Sequence, residues 1–263
     1  MPDRVYIESA RRAYYDALES ESLGRRFLIF DELDSTSAYI RRIASDEEAR
    51  GLAAAALRQS EGRGRLGRSW ESGGNGLYLS FAVFTAAENL TRLPLAAAAA
   101  ATDALEKLGV SGTGIKWPND IILSGKKIAG ILCQAWGSRA CVGIGVNIAQ
   151  DAETFARTGL EHASSLALLG FDIDMWTLAA GIISAADRRI SQLESGRYDE
   201  LLSDYRRRCI SIGREVMAMK ADRMLSGRAV DVDSDGRLVI ETPCGKISVD
   251  SGEVKLRTKD GYV

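Results

Sequence analysis

The chain has 263 residues, 46% of them hydrophobic and 27% charged, with a formal net charge of -2. That is enough chain for one large core and a small second one, with the composition of an ordinary globular protein. Near-neutral charge argues against a general electrostatic grip on nucleic acid or on an anionic membrane, so neither is expected as a partner.

The N-terminus, Met1 to Ser22, mixes charges throughout and has no apolar signal-peptide core. The Ala-rich run Leu93 to Ala101 gives way to Thr102, Asp103 and Glu106 and is too short to span a bilayer. Cys133, Cys141, Cys209 and Cys244 show no C-x-x-C spacing. A cytoplasmic protein with reduced thiols is expected.

In chain order, residues 3–20 read as a lead-in helix and Phe27 to Phe30 as a strand. Asp34-Ser35-Thr36-Ser37 supplies N-cap residues for a helix through Ile40 and Ile43. Leu52 to Leu57 is an apolar run ending in a glycine-rich loop, and Leu77 to Phe84 has strand composition. Pro94 to Leu108 is a helix stopped by Gly109. Strands follow at Ile115–Trp117, Ile121–Leu123, Lys127–Cys133 and Ala140–Ile148, with Ser124-Gly125 as a hairpin turn. Met175–Leu193 and Asp199–Arg208 read as helices.

From Glu215 to Leu256, short alternating runs and Gly-bearing turns predict an all-β module with strands at 216–219, 227–232, 237–241, 246–249 and 253–256. The expected division is a larger domain over 1–212, with residues 1–25 as its lead-in, and a small domain over 213–263. Hairpin-linked strands with helices segregated in sequence argue for an α+β fold rather than a doubly wound parallel sheet.

The segment Gly62-Arg63-Gly64-Arg65-Leu66-Gly67-Arg68-Ser69-Trp70 satisfies G-x-G-x-x-G literally. It fails as a dinucleotide fingerprint, because Glu71 to Gly76 cannot open a helix. The glycines let backbone N–H groups turn toward an anion, and the arginines add bidentate donors for carboxylate or phosphate. Three arginines so close repel one another, so the loop is expected to be mobile until an anion neutralises it.

Lys116-Trp117-Pro118-Asn119-Asp120 puts a cation, an amide and a carboxylate in one loop, whose turn Pro118 fixes. Asp120 is a candidate ligand for Mg²⁺ carried on a phosphate. By themselves Lys126 and Lys127 read as solvated lysines beside a turn, and Trp117 as core. Asp231, Asp233, Asp235 and Gly236 imitate the start of a calcium loop, but position twelve is Thr242, so Asp235-Gly236 reads as a hairpin turn. His162 has no second ligand near it in sequence.

Together the two loops resemble those of biotin protein ligases, with Lys127 to Leu132, Asp34-Ser35-Thr36 and Gly143 to Asn147 in the expected order. The resemblance spans about residues 26 to 256. It implies a mixed-sheet catalytic domain with a C-terminal SH3-like β-barrel, and a reaction in which ATP activates biotin to biotinyl-5′-AMP before transfer to a lysine. The acceptor implied is a biotin carboxyl carrier protein or domain of a carboxylase, with Mg²⁺ accompanying ATP and biotin as substrate.

By the same resemblance, Ser35, Thr36, Ser37 and Gln59 meet biotin's polar ring. Arg63, Gly64 and Arg65 wrap its carboxylate and the α-phosphate, and Lys127 points at the reacting oxygens. Lys116, Arg68, Trp70, Asn119, Asp120 and Asn147 join Arg65 on ATP, Trp70 stacking on adenine and Asn147 bonding its edge. Lys127, Arg63 and Arg65 are the implied catalytic groups. Ser37 departs from the family's usual Asn and has a shorter reach. About 25 residues precede the domain, too few for the winged helix-turn-helix of the family's repressors, so no repressor function is expected. Monomers and homodimers both occur among such ligases. A lipoate or octanoate ligase of the same fold, and a non-catalytic nucleotide-binding module, are the alternatives.

Overall fold

Seven strands between Phe27 and Asn147 assemble into one sheet. In the computed structural model, which describes residues 4–44, 49–220, 223–250 and 254–256, α1 (Arg4–Ala17) leads into β1 (Phe27–Leu33), α2 (Thr36–Ile43), β2 (Ala53–Gln59) and β3 (Gly76–Phe84). Next come α3 (Ala87–Leu90), α4 (Leu93–Lys107), β4 (Gly114–Lys116), β5 (Asp120–Leu123), β6 (Lys126–Trp136) and β7 (Arg139–Asn147). Helices α5 (Ala152–Arg157), α6 (Met175–Glu194) and α7 (Tyr198–Arg208) complete the larger unit.

The strand order is β1-β2-β3-β7-β6-β5-β4. Only β1 and β2, joined through α2, pair in parallel; the other neighbours are antiparallel. This is the expected α+β fold. Period-two alternation divides the side chains between faces. Leu77, Leu79, Phe81 and Val83 of β3 join Val142, Ile144 and Val146 of β7 in the main core, beneath α1, α4 and α6. Ala82 and Phe84 point the other way and pack with Cys141 under α2.

Helix α4 fits this sandwich because its alanines let it lie close to α6 and the sheet; Ala98 to Ala101 are fully buried. Gly109 ends it at φ +85°, where its own N–H and that of Val110 close on Glu106 and Leu105. The Ser124-Gly125 turn has positive φ at both positions, as a two-residue hairpin of type I′ requires. Helices α3 and α5 were not foreseen: each is under two turns long, too short to show a period.

The C-terminal strands are β8 (Glu215–Lys220), β9 (Arg223–Val232), β10 (Leu238–Thr242), β11 (Gly245–Val249) and β12 (Val254–Leu256). They form an antiparallel sheet of order β11-β10-β9-β8-β12, the small SH3-like module that was expected. Glu253, placed in the last strand by sequence, lies outside the described residues. Asp233 and Gly236 form the turn between β9 and β10, with Asp233 Oδ1 accepting from the Asp235 and Arg237 N–H groups. Arg206 of α7 binds the Val232 carbonyl and Asp231, which fastens the module to the larger unit.

Candidate active site

The sheet face turned away from α4 and α6 is only partly covered by α2, and a cavity opens beside that helix. Its floor is β3, β6 and β7, and its walls are the start of α2, the glycine–arginine loop and the 116–120 turn. The two sequence segments, some 50 residues apart, meet here.

One end of the cavity is lined by hydroxyls. Ser35 caps α2, its Oγ accepting from the Ala38 N–H at 3.4 Å and lying 2.9 Å from Ser37 Oγ. Gln59, at the end of β2, turns its Oε1 to the N–H and Oγ1 of Thr36 at 2.8 and 3.1 Å, and its Nε2 donates to Ser72 Oγ at 2.9 Å. Thr36 Oγ1 lies 2.8 Å from Ser80 Oγ. These are donors and acceptors already tied to one another in a buried place, so a polar ring can exchange bonds with them without first desolvating charge. Ser80 was not singled out from sequence, although a lone serine in the otherwise apolar run Leu77 to Phe84 was the available signal.

The other end is cationic. β4 and β5 put Lys116 directly opposite Asp120, and Lys127 Nζ lies 2.7 Å from Asp120 Oδ1, both side chains being mostly buried. The reading of Lys127 as a solvated lysine is therefore corrected: its backbone is also clamped, its N–H donating to the His162 carbonyl and its own carbonyl accepting from Ser164. Burial pulls the Lys116 ammonium down to about 8, partly countered by Asp120. Burial also lowers Arg65, against the pull of Asp120. Each cation is held at a cost that a bound anion would relieve.

The arginine loop closes on the 116–120 turn. Arg65 turns inward and donates to Asn119 Oδ1 at 2.7 Å, while Arg68 still repels its charge. Residues 65–67 form a single turn with Leu66 and Gly67 at positive φ, and the Gly64 N–H bonds the Arg68 carbonyl. That N–H is thus used within the loop, where the sequence suggested it would face an anion. Arg63 and Arg68 also line the cavity, and the indole of Trp70 lies against β6 and β7 with Lys127 Nζ 5.2 Å from its ring centre.

Asn147 stands apart from the residues lining this cavity. Its Nδ2 donates to the Ser164 carbonyl at 3.0 Å and, at 3.5 Å, to the Lys127 carbonyl, so it pins the 160s loop to β6. Trp117 is nearly all core, 3% exposed, with Nε1 donating to the Gly236 carbonyl at 2.9 Å. Asp120 is the one carboxylate among the lining residues. Among the described residues no group of three His, Cys, Asp or Glu could hold a metal ion.

A neutral hydrogen-bonding pocket that continues into a cluster of cations is the site of a protein that brings an organic acid to a phosphate, as acid-activating ligases do. Residues 29–151 match the Biotin/lipoate A/B protein ligase family, and residues 211–257 match the Biotin protein ligase C terminal domain. The Biotin--[acetyl-CoA-carboxylase] ligase of Mycobacterium tuberculosis is 30% identical over 263 residues, covering 96% of this chain and 97% of that protein. The bifunctional ligase/repressor BirA of Bacillus subtilis is 28% identical over 248 residues, 91% of this chain and 76% of the relative. Among solved structures, the biotin protein ligase from Aquifex aeolicus in complex with biotin and ATP has a TM-score of 0.76 at 28% identity. That match covers 89% of this chain and 99% of the other. The chain belongs to the biotin protein ligase family.

Proposed function

We propose that this protein activates biotin with ATP to biotinyl-5′-AMP and then transfers biotin to a lysine of a biotin carboxyl carrier domain. The observation that carries the reading is the continuity of one cavity from the hydroxyl cluster of Ser35, Thr36, Ser37 and Ser80 to the cations Arg65, Lys116 and Lys127. The first end suits a ureido ring, which offers N–H, C=O and N–H in sequence. The second suits a carboxylate beside a triphosphate.

The chemistry asks the protein for position and charge. The carboxylate oxygen attacks the α-phosphorus and pyrophosphate leaves; no nucleophile on the protein takes part. Arg63, Arg65 and Lys127 neutralise the two anions so that they can approach. The acceptor's lysine amine then attacks the acyl carbon, releasing AMP. Asn119 orients Arg65 and thus the loop that shields the anhydride from water.

Mg²⁺ fits this donor set only as an ion carried by the nucleotide. Asp120 alone offers a carboxylate, and one carboxylate with phosphate oxygens and water suffices for Mg²⁺. The ion would supply charge neutralisation at the phosphates. The division into a catalytic part ending near residue 212 and a C-terminal module is part of the proposal, as are reaction in the cytoplasm and action as a monomer or homodimer.

The deciding experiment is ATP–pyrophosphate exchange run with biotin, with lipoate and with no acid. Exchange is expected with biotin only. Absence of biotin-dependent exchange would sink the reading, and exchange with lipoate would point to the related lipoate ligases.

A further inference from the structure

Strands β6 and β7 place Gly130 and Gly145 directly opposite one another. Neither has a positive φ, so backbone conformation gives no reason for glycine at either position. The reason is the missing side chain. On the open face of the sheet the pair leaves a gap where two Cβ atoms would stand, and the indole of Trp70 lies in it. A Cβ built on Gly145 would be 2.5 Å from Trp70 Cε2 and Nε1, and one on Gly130 would be 2.7 Å from Trp70 Cζ3. No real carbon tolerates such contacts. The Gly130 position also lies 3.3 Å from Lys127 Cε, so the gap lets Lys127 lie low beside the indole.

The seat has consequences along the chain. The Trp70 N–H donates to the Gly62 carbonyl at 2.8 Å and closes the loop at its base. Where the indole sits therefore sets where Arg63, Arg65 and Arg68 enter the cavity. Trp70 Nε1 is buried without a hydrogen-bond partner among the described residues. The indole is thus held there by fit, with no hydrogen bond to anchor it.

We infer that Gly130 and Gly145 are positioning residues for Trp70, a cross-strand seat that fixes the height of the indole over the sheet and, through it, the nucleotide half of the site. The hydroxyl end is positioned by α2, Gln59 and Ser80, and it meets the Trp70 backbone through Ser72, whose Oγ accepts from Gln59 Nε2 and donates to the Trp70 carbonyl, not through the indole. The inference rests on the proposed function where it concerns nucleotide, and on geometry alone where it concerns the loop.

The test compares Gly145→Ala and Gly130→Ala with the parent. Two readouts are taken: the ATP and biotin dependence of pyrophosphate exchange, and trypsin cleavage at Arg63, Arg65 and Arg68 without ligands, followed by mass spectrometry. The added methyl should raise KM for ATP about tenfold or more and KM for biotin less than about twofold, and cleavage should accelerate. In a Trp70→Ala background the glycine substitution should add no further penalty, because the atoms it strikes are gone. KM for ATP unchanged in both glycine variants overturns the inference, and so does a penalty undiminished in the Trp70→Ala background. Should Gly145→Ala fail to fold, Gly130→Ala carries the same comparison. Cleavage needs no substrate, so accelerated cleavage alongside a parent without biotin-dependent exchange would keep the seat and remove the functional reading.

Discussion

Trp117 Nε1 donates to the carbonyl of Gly236 at 2.9 Å, and both lie buried where the 116–120 turn meets the β9–β10 turn of the C-terminal module. The same turn is held by Ser211, whose Oγ accepts from the Trp117 N–H, and by Tyr205, whose hydroxyl donates to the Pro118 carbonyl. The loop that carries Lys116, Asn119 and Asp120 is thus fastened by the module through Gly236 and by the end of the larger unit through Tyr205 and Ser211. Trp117→Phe keeps an aromatic ring but leaves a buried carbonyl unpaired, at a cost of about 1–3 kcal/mol. A lowered urea midpoint and a raised KM for ATP are expected. An unchanged midpoint would show that the bond does not hold the two units together.

Lys127 and Asp120 form a largely buried ion pair that lines the cavity. Lys127→Ala should leave the fold intact by circular dichroism, since the backbone bonds to His162 and Ser164 do not involve the side chain. Biotin activation should fall by about a hundredfold or more, the scale of a lost charge-stabilising donor. Arg65→Ala should do likewise while freeing Asn119 Oδ1. Exchange at the parent rate in either variant would refute the assigned role.

At the hydroxyl end, Thr36→Val keeps shape and removes the one hydroxyl shared by Gln59 and Ser80. Unpaired polar groups then face the ligand, so biotin affinity should fall by about tenfold or more. The check is titration calorimetry with biotin alone, against KM for ATP at saturating biotin. Equal losses for both substrates would mean that the change had disturbed the whole cavity.

How much of this was legible in sequence follows from what each feature depends on. Elements with a strong local period or punctuation, such as α4 between Pro94 and Gly109 or the hairpin at Ser124-Gly125, were readable because their causes are local. The arginine loop and the 116–120 turn stood out as candidates, because together they resemble the loops of a known family. The contacts across the fold were not readable: that Arg65 finds Asn119, or that Gly130 faces Gly145, depends on strand register. Asn147 shows the limit from the other direction, since its place in a family pattern does not reveal that its amide is engaged by Ser164.

Lys116 makes the site pH-dependent in a direction that can be worked out. Burial lowers its pKa from 10.5 to about 8, with Asp120 opposing the shift. Between those two values the unfolded chain holds the proton and the folded chain does not. This group's contribution to stability therefore rises as pH increases through about 8. Affinity for anions runs the other way, because the ammonium is lost over the same range. KM for ATP should climb above about pH 8 while the protein becomes no less stable through this group. Lys116→Arg keeps its charge throughout, so its KM for ATP should stay flat across the same range even if the absolute value differs. A rise of equal steepness in the Arg variant would place the titrating group elsewhere. A flat parent profile would show that the buried lysine keeps its proton.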